Sequence, residues 1–333
     1  MNRPIRVLTW HVHGNYMLYL SRANVEFYLP VAPGKPGYGG RGETFPFPDR
    51  VRDIPAEAVR DADFDCVLFQ SRRNFLEDQT EILSDEQMRL PRIYLEHDPP
   101  QEHPTNTPHP LDDPDALLVH VTPFNALMWD SGRTPTRVIE HGVFTPKGVR
   151  HTGELERGIV VVNHLKRRGR RLGLDVFERL RDEAPLDLVG MDAESLGGVG
   201  EVPPLELARF ASRYRFFLNP IRYTSLGLAV IEAMMIGLPI LGLATTEMVT
   251  VIENGVSGFL ATDPDRLIEP MRELLADPAE ARRMGERARL AALERFSIDR
   301  FAREWEEVFS TVVGRPVGER TLVAPALASE AAS

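Results

Sequence analysis

Phe216–Leu260, FFLNPIRYTSLGLAVIEAMMIGLPILGLATTEMVTVIENGVSGFL, is the stretch whose reading decides the fold. Phe216-Phe217-Leu218 is a short apolar run that stops at Asn219-Pro220, as a buried strand does. The loop Ile221 to Gly227 follows, and Leu228 to Ile236 has helical spacing. Gly237 stands just past that helix and Pro239 two residues later, the punctuation of a helix C-terminus. Ile240 to Leu243 is the next buried strand. Strand, loop, helix and strand in this order predict a parallel α/β sheet, whose ligands sit beyond the carboxyl ends of its strands. The small residues Ser225 and Gly227 let backbone amides at a helix N-terminus approach an anion closely. Glu232 lies about one turn into the helix, too deep to cap it, and its carboxylate can accept hydrogen bonds from a ribose diol.

This stretch resembles the donor-binding segment of retaining glycosyltransferases with the GT-B architecture. Their pattern is a proline, a few residues, Glu, seven residues, Glu-Ala-Met, then Gly-x-Pro and a hydrophobic strand. Pro220, Glu232-Ala233-Met234, Gly237, Pro239 and Glu253-Asn254-Gly255-Val256-Ser257-Gly258 carry the resemblance. It implies an α/β fold of two Rossmann-like domains facing a central cleft, with Glu232 on the ribose of a nucleotide-sugar and Ser225, Leu226, Gly227 and Leu228 beside its diphosphate. The chain departs from the pattern at Thr224, where the family has a Glu that grips the transferred sugar. Thr245-Thr246-Glu247-Met248 also replaces the usual Gly-Gly-x-Pro loop.

Composition bounds these readings. A chain of 333 residues is long enough for two domains with separate cores. With 43% hydrophobic and 26% charged residues it has the make-up of a soluble globular protein. The net charge of -10 disfavours sequence-independent nucleic-acid binding. The single cysteine, Cys66, sits in the apolar run Asp65-Cys66-Val67-Leu68-Phe69, and no disulfide framework is available, which fits a reducing compartment. No leader-like or membrane-spanning apolar run occurs, so a cytoplasmic location is expected.

In the N-terminal half, Ile5 to Trp10, Asn24 to Val31, Asp65 to Gln70, Arg92 to Leu95, Leu117 to Val121 and Arg137 to Ile139 read as strands. The first loop holds His11, His13 and Gly14; the family has a glycine pair here, and Gly14 is the residue that offers close approach to the donor diphosphate or the acceptor. Residues 33–50, rich in Gly, Pro and aromatics, read either as an acceptor-contacting loop or as irregular surface. The resemblance makes His97, at the end of Arg92 to Leu95, the catalytic histidine that faces the donor sugar. His97, His103 and His109 recur at even spacing in a proline-rich loop, a poor framework for a metal site.

The C-terminal half opens on the strand Gly158 to Asn163 and the basic run Lys166-Arg167-Arg168-Gly169-Arg170-Arg171. Family members have an Arg and a Lys after this strand that neutralise the diphosphate. Strict alignment puts His164 and Leu172 at those positions, so the charge is expected from Arg167, Arg168, Arg170 and Arg171. Leu186 to Gly190 and Glu201-Val202 read as further strands. The expected organisation is an acceptor domain over 1–145, a linker over 146–157 and a donor domain over 158–297. A helix over 298–313 crosses back, and a disordered tail covers 314–333.

The resemblance implies transfer of a sugar, with retention, from a UDP-, GDP- or ADP-linked donor to a hydroxyl acceptor such as a glycan or lipid-linked saccharide, in polysaccharide or glycolipid biosynthesis. No cofactor and no obligate metal are expected, and a peripheral membrane contact suits a lipid-linked acceptor. Thr224 and the missing Lys keep open a non-catalytic nucleotide-sugar binding subunit; a GT-B phosphorylase or epimerase is the other alternative. A nicotinamide dehydrogenase is disfavoured, because no G-x-G-x-x-G follows a strand.

Overall fold

A computed structural model describes residues 3–318, which pack as two units. Of the described residues, the first unit holds 3–142 and 298–318; the second is Val143–Ser297.

Seven strands form the first sheet: β1 (Arg6–Thr9), β2 (Glu26–Val31), β3 (Val51–Pro55), β4 (Cys66–Phe69), β5 (Arg92–Glu96), β6 (Leu117–His120) and β7 (Thr136–Val138). Their order is β3-β2-β1-β4-β5-β6-β7, and every pairing is parallel. The central strands are buried on both faces, so β4 reads as four consecutive buried residues. The order reverses between β1 and β4, and such a switch point opens a crevice at the carboxyl ends of the strands. The helix Ile298–Val313 completes this unit: Phe301 and Trp305 pack toward Tyr16, and Phe309 lies 5.9 Å from Phe27, ring to ring.

The second sheet has five parallel strands: β8 (Leu155–Val161), β9 (Leu186–Val189), β10 (Tyr214–Asn219), β11 (Ile240–Leu243) and β12 (Gly258–Ala261). Their order is β12-β11-β10-β8-β9, with its switch point between β8 and β10. Its core gathers Phe177, Leu180, Phe216, Leu218, Leu241 and Met271 from the strands and the surrounding helices. Both units therefore have Rossmann-like topology.

Three expectations need correction. β8 begins at Leu155, inside the stretch expected to be linker, because the Leu155 amide already bonds to the Arg213 carbonyl. Glu201-Val202 forms no strand; its neighbour Gly200 makes only an isolated bridge to Val189. Residues 314–318 are held on the first unit, where Arg315 donates to the Arg3 carbonyl at 2.7 Å and pairs with Asp65 at 2.8 Å. The rest of the expected tail, 319–333, lies outside the described residues.

His120, the last residue of β6, is fully buried, and no hydrogen bond reaches either ring nitrogen among the described residues. Burial first, and the neighbouring His109 second, pull its pKa down to about 4. A histidine kept neutral in the fold and protonated when unfolded gives stability that is complete above pH 6.5 and is lost as pH falls from 6.5 toward 4. Thermal unfolding across that window should show the first unit losing on the order of 2 kcal/mol. His120→Leu should flatten the slope. An unchanged slope would remove His120 as its source.

Candidate functional site

The second unit presents two loops at its switch point. After β8 the chain runs through His164 and the short helix Leu165–Arg168 into a 3-10 turn, Gly169–Leu172. After β10 it runs from Pro220 to Gly227 and enters the helix Leu228–Ile236. The two loops are fastened together. The Arg222 and Tyr223 amides both donate to the Arg171 carbonyl, at 3.0 and 3.3 Å, and the Arg222 guanidinium donates to the Arg170 carbonyl at 2.8 Å.

The helix Leu228–Ile236 starts without a side-chain cap; the Val230 amide bonds back to the Gly227 carbonyl at 3.1 Å, which leaves those of Leu228 and Ala229 to face a ligand. Ser225 and Leu226 are buried beneath the entrance, while a side chain at Gly227 would meet nothing within 4 Å. An uncapped helix N-terminus beside open space attracts an anion through its dipole and its amides. Thr224 is half-buried in the same loop. Glu232, about one turn further in, is half-buried and borders a small apolar hollow with Val161, Ala208, Ala211 and Phe217.

The arginines separate into distinct roles. Arg170 pairs with Asp175, and the same carboxylate holds Arg222 through two bonds, one of them 2.8 Å. Arg222 first and Arg170 after it keep the Asp175 carboxyl below its ordinary range, so one anion is shared by two guanidiniums. Arg168 is half-buried and also engaged, and Arg167 is exposed. Arg171 is half-buried, and its side chain has no hydrogen-bond or ion-pair partner among the described residues. Leu172 is a core residue at 2% exposure, which explains why no Lys stands there. His164 takes a left-handed backbone with φ 52° and starts the short helix.

His164 is one of three non-glycine residues with positive φ among the described residues, with Asp192 and Thr246. All three lie in loops after strands of the second sheet: β8, β9 and β11. Thr246 is β-branched, and the left-handed conformation costs it on the order of 1–2 kcal/mol. Strain collected at one edge of a sheet marks a functional edge.

The first unit carries a second group of polar residues at its own switch point. His97 follows β5, with its ring 4.3 Å from that of His13 and 4.8 Å from that of Tyr16. Burial, then the nearby His13 and His141, hold its pKa well below the usual histidine value, so the ring is neutral near pH 7. A pocket of about 340 Å³ is lined by His97, His13, Gln70, Glu96, Asp98 and Trp129, among others. Its floor is braced. Glu96 accepts from the Asp98 amide at 3.0 Å and bonds to His109 at 3.2 Å, and the Trp129 indole donates to the Asp98 carbonyl at 2.8 Å. His97, His103 and His109 thus serve three separate places. Gln70, read from the sequence as the end of a strand and not as a site residue, lines the same pocket and bonds to His97.

Gly14 and His11 have local partners. A side chain at Gly14 would come within 2.2 Å of the Phe45 ring, so the space that the glycine leaves is filled by the 33–50 loop rather than kept for a diphosphate. His11 donates from Nδ1 to the Gly40 carbonyl at 2.9 Å and packs against Phe45 and Phe47.

Known proteins carry the same topology. In solved structures, sucrose-phosphate synthase from Thermosynechococcus elongatus superposes with a TM-score of 0.65 at 17% identity, over 94% of this chain and 100% of that one. HepE of Anabaena, solved in complex with UDP, superposes with a TM-score of 0.67 at 15% identity, over 93% of this chain and 100% of that one. The chain has the GT-B fold. Residues 167–307 match the model of a family described as glycosyl transferase-like. That segment of the GT-B chain contains the basic run, the β10 loop and Glu232. N-acetyl-alpha-D-glucosaminyl L-malate synthase of Bacillus anthracis is 32% identical over 91 residues, which span 27% of this chain and 24% of that relative.

Proposed function

We propose that this chain is a glycosyltransferase that moves a sugar from a nucleoside-diphosphate donor to a hydroxyl acceptor with retention of anomeric configuration. One observation carries the reading: at the switch point of the second unit, the loop that enters an uncapped helix N-terminus is bonded to the turn that holds Arg171, an arginine with no acid partner among the described residues. The segment that builds this edge is also the one that matches the glycosyl transferase-like family. HepE and the pneumococcal O-GlcNAc transferase GtfA, both solved with UDP, make UDP the first base to test, with GDP and ADP beside it.

In the proposed reaction the bond from the sugar C1 to the diphosphate oxygen breaks, and its electron pair stays on the diphosphate. The amides of the helix entrance and Arg171 stabilise that charge. The acceptor oxygen bonds to C1, and its proton passes to the departing phosphate, so no protein base and no obligate metal enter the step. The pocket of the first unit takes the acceptor, a glycan or lipid-linked saccharide.

Arg171→Ala is expected to weaken nucleoside-diphosphate binding by about 10- to 30-fold, the loss of one charge-assisted contact. Arg170→Ala should stay within about threefold of wild type, because Arg170 is exposed and already held by Asp175. Titration calorimetry of both variants checks this, and equal losses would sink the assignment of Arg171. Thr224 favours one further reading, a nucleotide-sugar binding subunit without turnover. Release of nucleotide from matching donors separates the two: the transferase releases it, at least slowly to water, and the binding subunit does not.

A further inference from the structure

We infer that Gln70 is a positioning residue that holds His97 in the tautomer with hydrogen on Nε2, leaving Nδ1 as the ring's acceptor. Gln70 is the first residue after β4, is 3% exposed, and joins the ends of three neighbouring strands. Its amide nitrogen donates to the Trp10 carbonyl at 2.8 Å and to Thr9 Oγ1 at 3.0 Å, both at the end of β1. Its amide oxygen lies 3.2 Å from His97 Nε2, just past β5.

The direction of each bond follows from what the groups can do. A peptide carbonyl only accepts, so the nitrogen of Gln70 must be the atom turned toward Trp10. The oxygen is then turned toward His97, and an amide oxygen also only accepts. His97 Nε2 must therefore carry the hydrogen, and in a neutral ring Nδ1 is left with its lone pair. The ring plane is held as well: His13 and Tyr16 pack edge-on against it, and Tyr16 OH is itself fixed by a bond from Trp305 Nε1 at 3.2 Å. Among the described residues no hydrogen bond reaches His97 Nδ1. A hydroxyl, donating its O–H, is the chemical class that such a fixed acceptor recognises. Gln70 touches β1, β4 and β5 at once, so the switch-point crevice and the tautomer are set by one side chain.

The test uses the full chain with labelled histidine and long-range proton–nitrogen correlation. His97 is assigned by the signals that vanish in His97→Gln. The wild type should show a protonated Nε2 and a bare Nδ1. Gln70→Met, which keeps the length but removes the amide, should give a mixture of both tautomers. Gln70→Glu keeps an acceptor against Nε2 and should restore the single form. A wild-type ring protonated on Nδ1, or a Gln70→Met ring with an unchanged tautomer, would overturn the proposal; the wild-type spectrum alone decides if a variant does not fold. The kinetic consequence rests on the transferase reading: Gln70→Met should lower kcat on the order of tenfold with the donor KM unchanged. A wild type without turnover would count against that reading while leaving the tautomer result standing.

Discussion

Gly173→Ala should destabilise the second unit by about 3 kcal/mol or more and loosen its nucleotide site with it. Gly173 has φ +84°, a conformation that costs an L-residue on the order of 1–2 kcal/mol by itself. The larger part comes from contact. An alanine Cβ would stand 2.0 Å from the Pro220 carbonyl oxygen, a backbone atom that cannot swing away. Relief requires moving either the turn that carries Arg171 or the loop that leads to Ser225, and these are the two loops that the Arg171 carbonyl fastens together. Gly197→Ala is the matched control. Its φ is +72°, but a Cβ there meets nothing within 4 Å, so only the backbone cost of about 1 kcal/mol should appear. Chemical denaturation of the two variants measures the difference directly, and similar losses would show that the contact with Pro220 is dispensable.

Glu232→Ala should weaken nucleoside-diphosphate binding on the order of a hundredfold while leaving the fold intact. A carboxylate that accepts from both hydroxyls of a ribose makes two charge-assisted bonds, each stronger than a neutral one. Glu232 is half-buried beside an apolar hollow, so a partner there is shielded from competing water. The side chain is not a helix cap, because the helix starts at Gly227 without one, and its removal should therefore spare the helix. Glu232→Gln separates charge from shape. It retains one acceptor oxygen and should fall between wild type and Glu232→Ala.

Much of the second unit was legible because its signals are local. The β10–loop–helix–β11 passage announces itself through buried runs, a terminating Gly237 and a proline two residues on, and the structure places its helix at Leu228–Ile236. The edge strands were not legible. β3 has two buried residues in five and carries Arg52 and Asp53, and β12 is four residues directly after turn residues with Gly258 alone among them buried, so neither shows the continuous buried run of a central strand. The site divides in the same way. The proposal of Glu232 and the Ser225–Gly227 entrance rests on spacing and resemblance along one stretch. Arg170 lies five residues from Asp175, but the competing hold of Arg222 on that carboxylate depends on a contact between residues 47 apart. Gln70 likewise depends on residues far along the chain, 60 from it at Trp10 and 27 at His97, and nothing in its own neighbourhood marks it. Leu172 shows the opposite case: a position where alignment calls for a cation is occupied by a core residue.

The most direct test is calorimetric titration of UDP, GDP and ADP against the wild type and Glu232→Ala at one salt concentration. One of the three should bind the wild type, and that binding should fall on the order of a hundredfold in Glu232→Ala, with the Tm of the variant unchanged. Binding of none of them to the wild type, or equal binding to both proteins, would contradict a nucleotide-sugar site at the switch point of the second unit.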